Sequence, residues 1–309
     1  MLGFLLSLSF WLRLGAVSAL LASVGLFLLF KFQDKIVYIP SSEPYLRQLS
    51  RDNPPGMRLP SEHGLAFEEV KLLSGGQKLE GWVIFAPGTR QASRDDGKKA
   101  VVFFHENAGN LGIRLPFFAE YARTLDCHVA AFAYRGFGSS EGTPSEPALQ
   151  EDGLAILEWV FSEKGVFHPS RLLLHGRSMG GAVLLYALAN SPHASSAKRV
   201  ILESTFTSIA DIVDVVFPPL KFLYSAKKWL LRNEWDSRAN IRKVKCPQAA
   251  FLFIGGGRDQ LTPPKMLSEL FERCPSSSKT IRMIPEGDHN QTWSLDPSGY
   301  FAWISALAR

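Results

Sequence analysis

The chain is poor in the residues that staple a fold or keep one from forming. It has three cysteines in 309 residues, Cys127, Cys246 and Cys274, and an odd number at unrelated spacings supports neither a disulfide framework nor a zinc site of the Cys-x-x-Cys kind. Buried free thiols are the expectation. There is no internal repeat or low-complexity tract, and 46% apolar against 20% charged residues excludes a disordered or collagen-like chain. No zinc-finger, RNA-recognition or helix-turn-helix signature accompanies the net charge of +5, so nucleic acid is not an expected partner. The length leaves room for one α/β domain of roughly 250 residues and an appendage.

Charge is scarcest at the N-terminus. Arg13 is the only charged side chain before Lys31, and residues 14–30 form an uncharged apolar run close to the minimum length for crossing a bilayer. Residues 1–36 therefore read as an N-terminal transmembrane helix, a single-pass membrane anchor, and residues 37–309 as the folded domain. A cleaved signal peptide is the alternative, with Val17-Ser18-Ala19 as its cleavage site, but no basic stretch precedes the run and Arg13 interrupts it. Lys31 and Lys35, set against Arg13 and the free amine, tip the positive-inside balance only slightly towards a cytoplasmic domain, which leaves side and organelle open.

Beyond the anchor, apolar and β-branched runs predict strands over 67–73, 79–85, 100–105, 128–134, 171–175, 199–203, 249–255 and 280–284. Helical periodicity falls at 115–125, 147–162, 179–189, 264–273 and 298–308. This alternation predicts an α/β protein with a mostly parallel eight-stranded sheet and helices on both faces, because each parallel crossover needs a connecting helix. The long interruption at 206–245 reads as a small helical lid. Its stretch from Lys221 to Lys245 holds eight bases against two acids. Lys227, Lys228, Arg232, Lys243 and Lys245, interleaved with Phe222, Tyr224, Trp229 and Trp235, suit a surface lying on anionic headgroups; an ordinary solvated basic face over buried aromatics is the equal alternative.

The strongest local signal is Leu172-Leu173-Leu174-His175-Gly176-Arg177-Ser178-Met179-Gly180-Gly181, a buried strand running through Gly-x-Ser-x-Gly into an apolar helix. That context makes Ser178 a nucleophile on a sharp strand-to-helix turn. A serine hydroxyl needs a base to take its proton and a carboxylate to orient the base. Both follow downstream. The strand at 249–255 exits into Gly256-Gly257-Arg258-Asp259, and the strand at 280–284 exits into Glu286-Gly287-Asp288-His289, the only histidine after the acid. Asp259 is the expected acid and His289 the expected base, with Asp288 and Glu203 as rival acids. The oxyanion hole is expected from the backbone N–H of Met179, directly after the nucleophile, and of Asn107, in the loop after the third strand. His105-Glu106 opens a metal-binding His-Glu-x-x-His, but position 109 is glycine and the metal reading fails.

Ser, Asp, His in that order, each at the carboxyl end of a strand, is the arrangement of the α/β-hydrolase fold. Lys31-Phe32-Gln33-Asp34 after the anchor, His-x-Asn-Ala-Gly-Asn at 105–110, Tyr134-Arg135-Gly136-Phe137-Gly138, Gly176-Arg177-Ser178-Met179-Gly180-Gly181 and Gly287-Asp288-His289-Asn290 together resemble the Bem family of membrane-anchored α/β-hydrolases. The resemblance implies a serine hydrolase with the triad Ser178, Asp259 and His289 and no metal or organic cofactor. It transfers no substrate; a membrane-borne lipid or acylated protein, cleaved at an ester or thioester bond, is the expectation drawn from the anchor and the lid. Relatives in the wider group remove palmitate from protein cysteines, but the cysteine-rich N-terminus of that branch is missing here. A serine peptidase of the same fold and a non-catalytic membrane adaptor are the alternatives. Two residues depart from the family pattern. Glu106 stands where glycine is usual, and a carboxylate beside an oxyanion is unfavourable unless it points away. Ala133 stands where Asp commonly precedes the Tyr-Arg-Gly segment.

Overall fold

The computed structural model describes residues 8–42, 47–162, 165–218 and 230–309. Helix α1 (Leu8–Val37) opens the chain. Its 30 residues span about 45 Å at 1.5 Å per residue. Among the described residues it is the one helix long and apolar enough to cross a membrane, with a mean hydropathy of 2.0 in its most apolar window and none of that window buried.

Eight strands follow: β1 (Phe67–Ser74), β2 (Gln77–Ile84), β3 (Lys99–Phe104), β4 (Cys127–Phe132), β5 (Leu172–Arg177), β6 (Arg199–Glu203), β7 (Ala250–Gly256) and β8 (Lys279–Ile284). They form one sheet in the order β1-β2-β4-β3-β5-β6-β7-β8. β1 and β2 are an antiparallel hairpin and β2 is antiparallel to β4; from β4 to β8 every pairing is parallel. Residue patterns explain the difference. Every side chain of β4 and β5 is buried, as strands covered on both faces require, whereas β1 at the edge keeps exposed glutamates and a lysine.

The crossover helices are α2 (Leu115–Leu125), α3 (Glu146–Phe161) and α4 (Met179–Asn190); further along lie α5 (Ile209–Val216), α6 (Ser237–Arg242), α7 (Pro264–Arg273), α8 (Thr292–Leu295) and α9 (Pro297–Leu307). Strand alternation assigns their faces. The rings of Phe103 and His175 pack on Phe117 of α2, while the next residue, Gly176, lies against the Gly180-Gly181 backbone of α4. So α2 and α4 cover opposite faces. Phe117 also meets Tyr300 and Phe301 of α9, and Gly153 of α3 lies against Val183 of α4.

The expected strands are shifted by at most two residues at either end, and the expected helices by at most one. Within 206–245 the described parts are α5, α6 and the segment around Trp235; Lys221, Phe222, Tyr224, Lys227, Lys228 and Trp229 lie outside the described residues. At Trp235 the structure agrees with the second of the two readings of this segment. Trp235 is fully buried, with its indole N–H donating to the Tyr38 hydroxyl at 2.8 Å, so it is a core residue and no interfacial ring. Lys245 likewise serves the fold, donating to the Asn190 carbonyl at the end of α4, where a cation meets the helix dipole.

Candidate active site

Ser178 sits between β5 and α4 with φ 51° and ψ −118°, a backbone conformation costing on the order of 1–3 kcal/mol for a residue with a Cβ. Its surroundings enforce it. The Ser178 N–H donates to the Glu203 carbonyl at 2.8 Å, and its own carbonyl accepts from the Thr205 hydroxyl at 2.8 Å. A Cβ on Gly180 would meet the Phe104 carbonyl oxygen at 1.9 Å, and one on Gly176 would meet the Gly180 oxygen at 2.6 Å. The turn is sharp because strand and helix approach at backbone contact, which only glycine permits at these two places.

The structure brings Ser178, Asp259 and His289 together. Ser178 Oγ lies 3.0 Å from His289 Nε2, and His289 Nδ1 lies 2.8 Å from Asp259 Oδ2. A carboxylate only accepts, so Nδ1 carries the proton and Nε2 is left to accept from the serine. Asp259 also accepts from the Leu261 N–H at 2.9 Å, the Thr262 N–H at 2.7 Å and the Thr262 hydroxyl at 2.6 Å. Burial pushes its carboxyl up, but the hydrogen bonds and charge from His289 and the bonds from Thr262 outweigh it and hold the group below its usual range. In this arrangement His289 can take the serine proton while Asp259 stays ionised.

Both rival acids are engaged elsewhere. Asp288 accepts the Asn290 and Gln291 N–H groups in its own loop. Glu203 is buried and takes bonds from His175 Nε2 at 3.1 Å, Tyr300 at 2.9 Å and the Thr292 hydroxyl, with Arg177 at 3.4 Å. Burial opposes its charge, yet the His175 bond and the Arg177 charge win and hold it far below the ordinary glutamate range. Arg177 in turn donates to the His289 carbonyl. Glu203 thus stands behind the histidine loop through Arg177.

Glu106 is resolved by the same network. Its carboxylate pairs with Arg114 and lies 3.9 Å from Arg177, and these cations outweigh burial and keep it ionised below its usual range. It does not line the cavity at Ser178. The neighbouring His105 is fixed as a neutral ring, because Nδ1 faces the Glu106 carbonyl at 2.7 Å and Nε2 accepts the Tyr134 N–H at 3.1 Å. At Ala133 the chain has no side-chain acceptor, and the Arg135 that follows is held by Asp152 and Glu151.

A cavity of about 220 Å³ opens beside Ser178, lined by Asn107, Met179 and Thr262, by apolar side chains of α5, and by Ile36 and Val37 of α1. Asn107, expected from sequence for its N–H, is tied to the end of α1: its side chain donates to the Val37 carbonyl at 2.8 Å, and its carbonyl accepts the Ile39 N–H at 2.8 Å. Sequence reasoning missed three contributors. Thr262 was signalled by its place three residues after Asp259, the spacing of a side-chain-capped turn. Arg177 and Ile36 act across long sequence separations and carry no local signal. Among the described residues no cluster of His, Cys, Asp and Glu is placed to hold a metal.

An eight-stranded, mostly parallel sheet with a strained serine elbow and a serine–histidine–aspartate chain at its strand ends defines an α/β-hydrolase. The chain belongs to the alpha/beta hydrolase family, whose profile matches residues 83–264, and to its Bem-type group. It is 33% identical to the protein bem46 of Schizosaccharomyces pombe, over 94% of this chain and 90% of that one. It is 32% identical to an uncharacterized membrane protein of Saccharomyces cerevisiae, over 93% and 92% of the two chains, and 32% identical to the alpha/beta hydrolase domain-containing protein WAV2 of Arabidopsis thaliana, over 87% and 85%. Among solved structures, an esterase of Pyrococcus furiosus superposes with a TM-score of 0.63 at 18% identity, covering 81% of this chain and 92% of that one; at that identity the likeness concerns the fold alone.

Proposed function

We propose that this hydrolase is a membrane-anchored serine esterase or thioesterase acting on a lipid or an acylated protein, palmitoyl-protein included. The observation that carries the reading is the continuous chain from Ser178 Oγ through His289 to Asp259 at 3.0 and 2.8 Å. Ser178 attacks the acyl carbon while His289 Nε2 takes its proton. The tetrahedral oxygen is met by the N–H groups of Met179 and Asn107, each worth roughly 3–4 kcal/mol in the transition state. The imidazolium then protonates the leaving alcohol or thiol, an acyl-Ser178 remains, and His289 activates water to release the acid. An ester or thioester is favoured over a peptide because the cavity at Ser178 is lined mainly by aliphatic side chains, which suit an acyl chain. The test is labelling of the purified full-length protein with a fluorophosphonate. Wild type labels and Ser178→Ala and His289→Ala do not; a folded wild type that stays unlabelled sinks the proposal.

A further inference from the structure

Helix α5 has an apolar stripe that the core uses only in part: Ile209 belongs to the core and Ile212 and Val213 pack against it, while its far end is left open. Ile209, Ile212, Val213 and Val216 recur at the spacing of one helix face, yet only Ile209 is buried, and Val216 and the following Phe217 are 48% and 59% exposed. These five side chains form one wall of the cavity at Ser178. Facing them are Ile36 and Val37, the last residues of the anchor helix, with Ile36 itself 57% exposed. An exposed aliphatic seam running to a serine elbow marks a binding surface.

The end of the anchor is held there by bonds to parts of the chain far away in sequence. Gln33 accepts the Arg232 N–H at 2.8 Å and donates to the Leu230 carbonyl. Asp34 accepts from the Asn233 side chain at 2.8 Å, and Tyr38 donates to Asn233 Oδ1 at 2.7 Å. Ile39 pairs with the oxyanion loop at Asn107 and Gly109. A tether needs none of these contacts. They fix the last helical turn as a wall of the cavity.

The height of that wall above the bilayer follows from helix geometry. The uncharged run ends at Phe30 and Ile36 lies six residues on, about 9 Å along the helix. A headgroup layer is roughly 5–8 Å thick, so the cavity mouth stands at its outer edge. A cavity of about 220 Å³ is smaller than the ~300–1,000 Å³ of drug-sized sites, so it takes the carbonyl end of one unbranched chain, and the exposed side chains of Ile36, Val216 and Phe217 carry the rest. We infer that the seam between the last turn of α1 and α5 is an acyl-chain subsite that takes one long chain lifted directly from the leaflet in which the anchor is seated. This rests on the serine hydrolase reading and gives it a substrate class: membrane-resident acyl esters or thioesters with a single long chain at the reacting carbonyl.

The test uses the full-length protein in phosphatidylcholine vesicles and compares kcat/KM for 4-nitrophenyl palmitate with that for 4-nitrophenyl acetate. Ile36→Trp and Val216→Trp fill the seam and lower the palmitate-to-acetate ratio at least tenfold, whereas Leu20→Trp, midway along the anchor, leaves the ratio alone. Because the ratio is internal to each variant, partial misfolding does not imitate the effect; an unchanged ratio in both seam variants overturns the inference. A second measurement is independent of catalysis. In Ser178→Ala, a 16-carbon fatty amide carrying a diazirine, embedded in the same vesicles, crosslinks to Ile36, Val37 and residues 209–217. Crosslinking there without ester hydrolysis by wild type keeps the subsite and removes the hydrolase reading. Hydrolysis without crosslinking and without chain-length dependence does the reverse.

Discussion

The two sides of Ser178 are built by opposite means. On one side, Ser178, Asp259 and His289 stand just past the ends of β5, β7 and β8, and their positions are fixed by strand pairing and by bonds among the neighbouring strand ends, with Asp259 also held by the Leu261 and Thr262 N–H groups of its own loop. On the other, the cavity wall comes from α1 and α5, outside the sheet, and α1 is pinned by side-chain bonds that span 195 to 199 residues of sequence. The sheet side holds the geometry that chemistry needs, and the anchor side shapes what reaches it. A rigid scaffold carrying reactive groups beneath attached, variable walls lets one triad meet different substrates.

That contrast can be broken at several strengths. The largest effect is expected from Ser178→Ala, which lowers kcat for a 4-nitrophenyl ester by on the order of 10⁴ or more and leaves the anchor contacts intact by hydrogen exchange. Next is Arg177→Met on the sheet side, which strands buried Glu203 and frees the His289 carbonyl; it costs about 3–5 kcal/mol, read as a lowered midpoint in denaturant. A pH effect of similar kind arises at His105, whose ring burial pushes down to about 4. Its stability contribution is full above the ordinary histidine value near 6.5 and is lost as pH falls from there to about 4, because the unfolded chain binds a proton that the folded ring refuses. That is about 3 kcal/mol over the window, and His105→Gln flattens this part of the stability profile.

On the anchor side the effects are smaller. Tyr38→Phe leaves the buried Trp235 N–H without its acceptor, costing about 1–3 kcal/mol; limited proteolysis then cuts faster around residues 230–235 while fluorophosphonate labelling of Ser178 persists. Smallest is Thr262→Val, which removes the hydroxyl that meets Asp259 Oδ2 at 2.6 Å. A roughly tenfold loss in kcat, about 1.4 kcal/mol, with KM unchanged marks it as a positioning residue.

The sequence made the sheet side legible and the anchor side opaque, for physical reasons. Continuous buried runs such as Leu172-Leu173-Leu174 announce parallel strands, and Ser178, Asp259 and His289 stand just past such runs, so adjacency together with the Gly-x-Ser-x-Gly motif and the chain order made them legible, while the choice among Asp259, Asp288 and Glu203 needed the tertiary contacts. Nothing local announces that Ile36 faces α5, or that Arg177 reaches the His289 carbonyl, because both are made by tertiary contact. Trp235 shows what composition leaves open: an aromatic among bases suits an interface or a core equally, and the choice is made by its indole N–H, which finds Tyr38 from the far end of the chain, so the ring goes inside. Glu106 shows the converse, since a carboxylate that looks harmful in the oxyanion loop is neutralised by Arg114, one turn into a short helix.

The most direct measurement is pre-steady-state mixing of the vesicle-bound protein with 4-nitrophenyl palmitate, followed by intact-mass and peptide analysis of the quenched enzyme. The account predicts a burst of about one 4-nitrophenolate per chain and a palmitoyl group on the peptide that carries Ser178. Ser178→Ala gives neither. Leaving-group release at an equal rate in wild type and Ser178→Ala, with no acylated peptide, would contradict it.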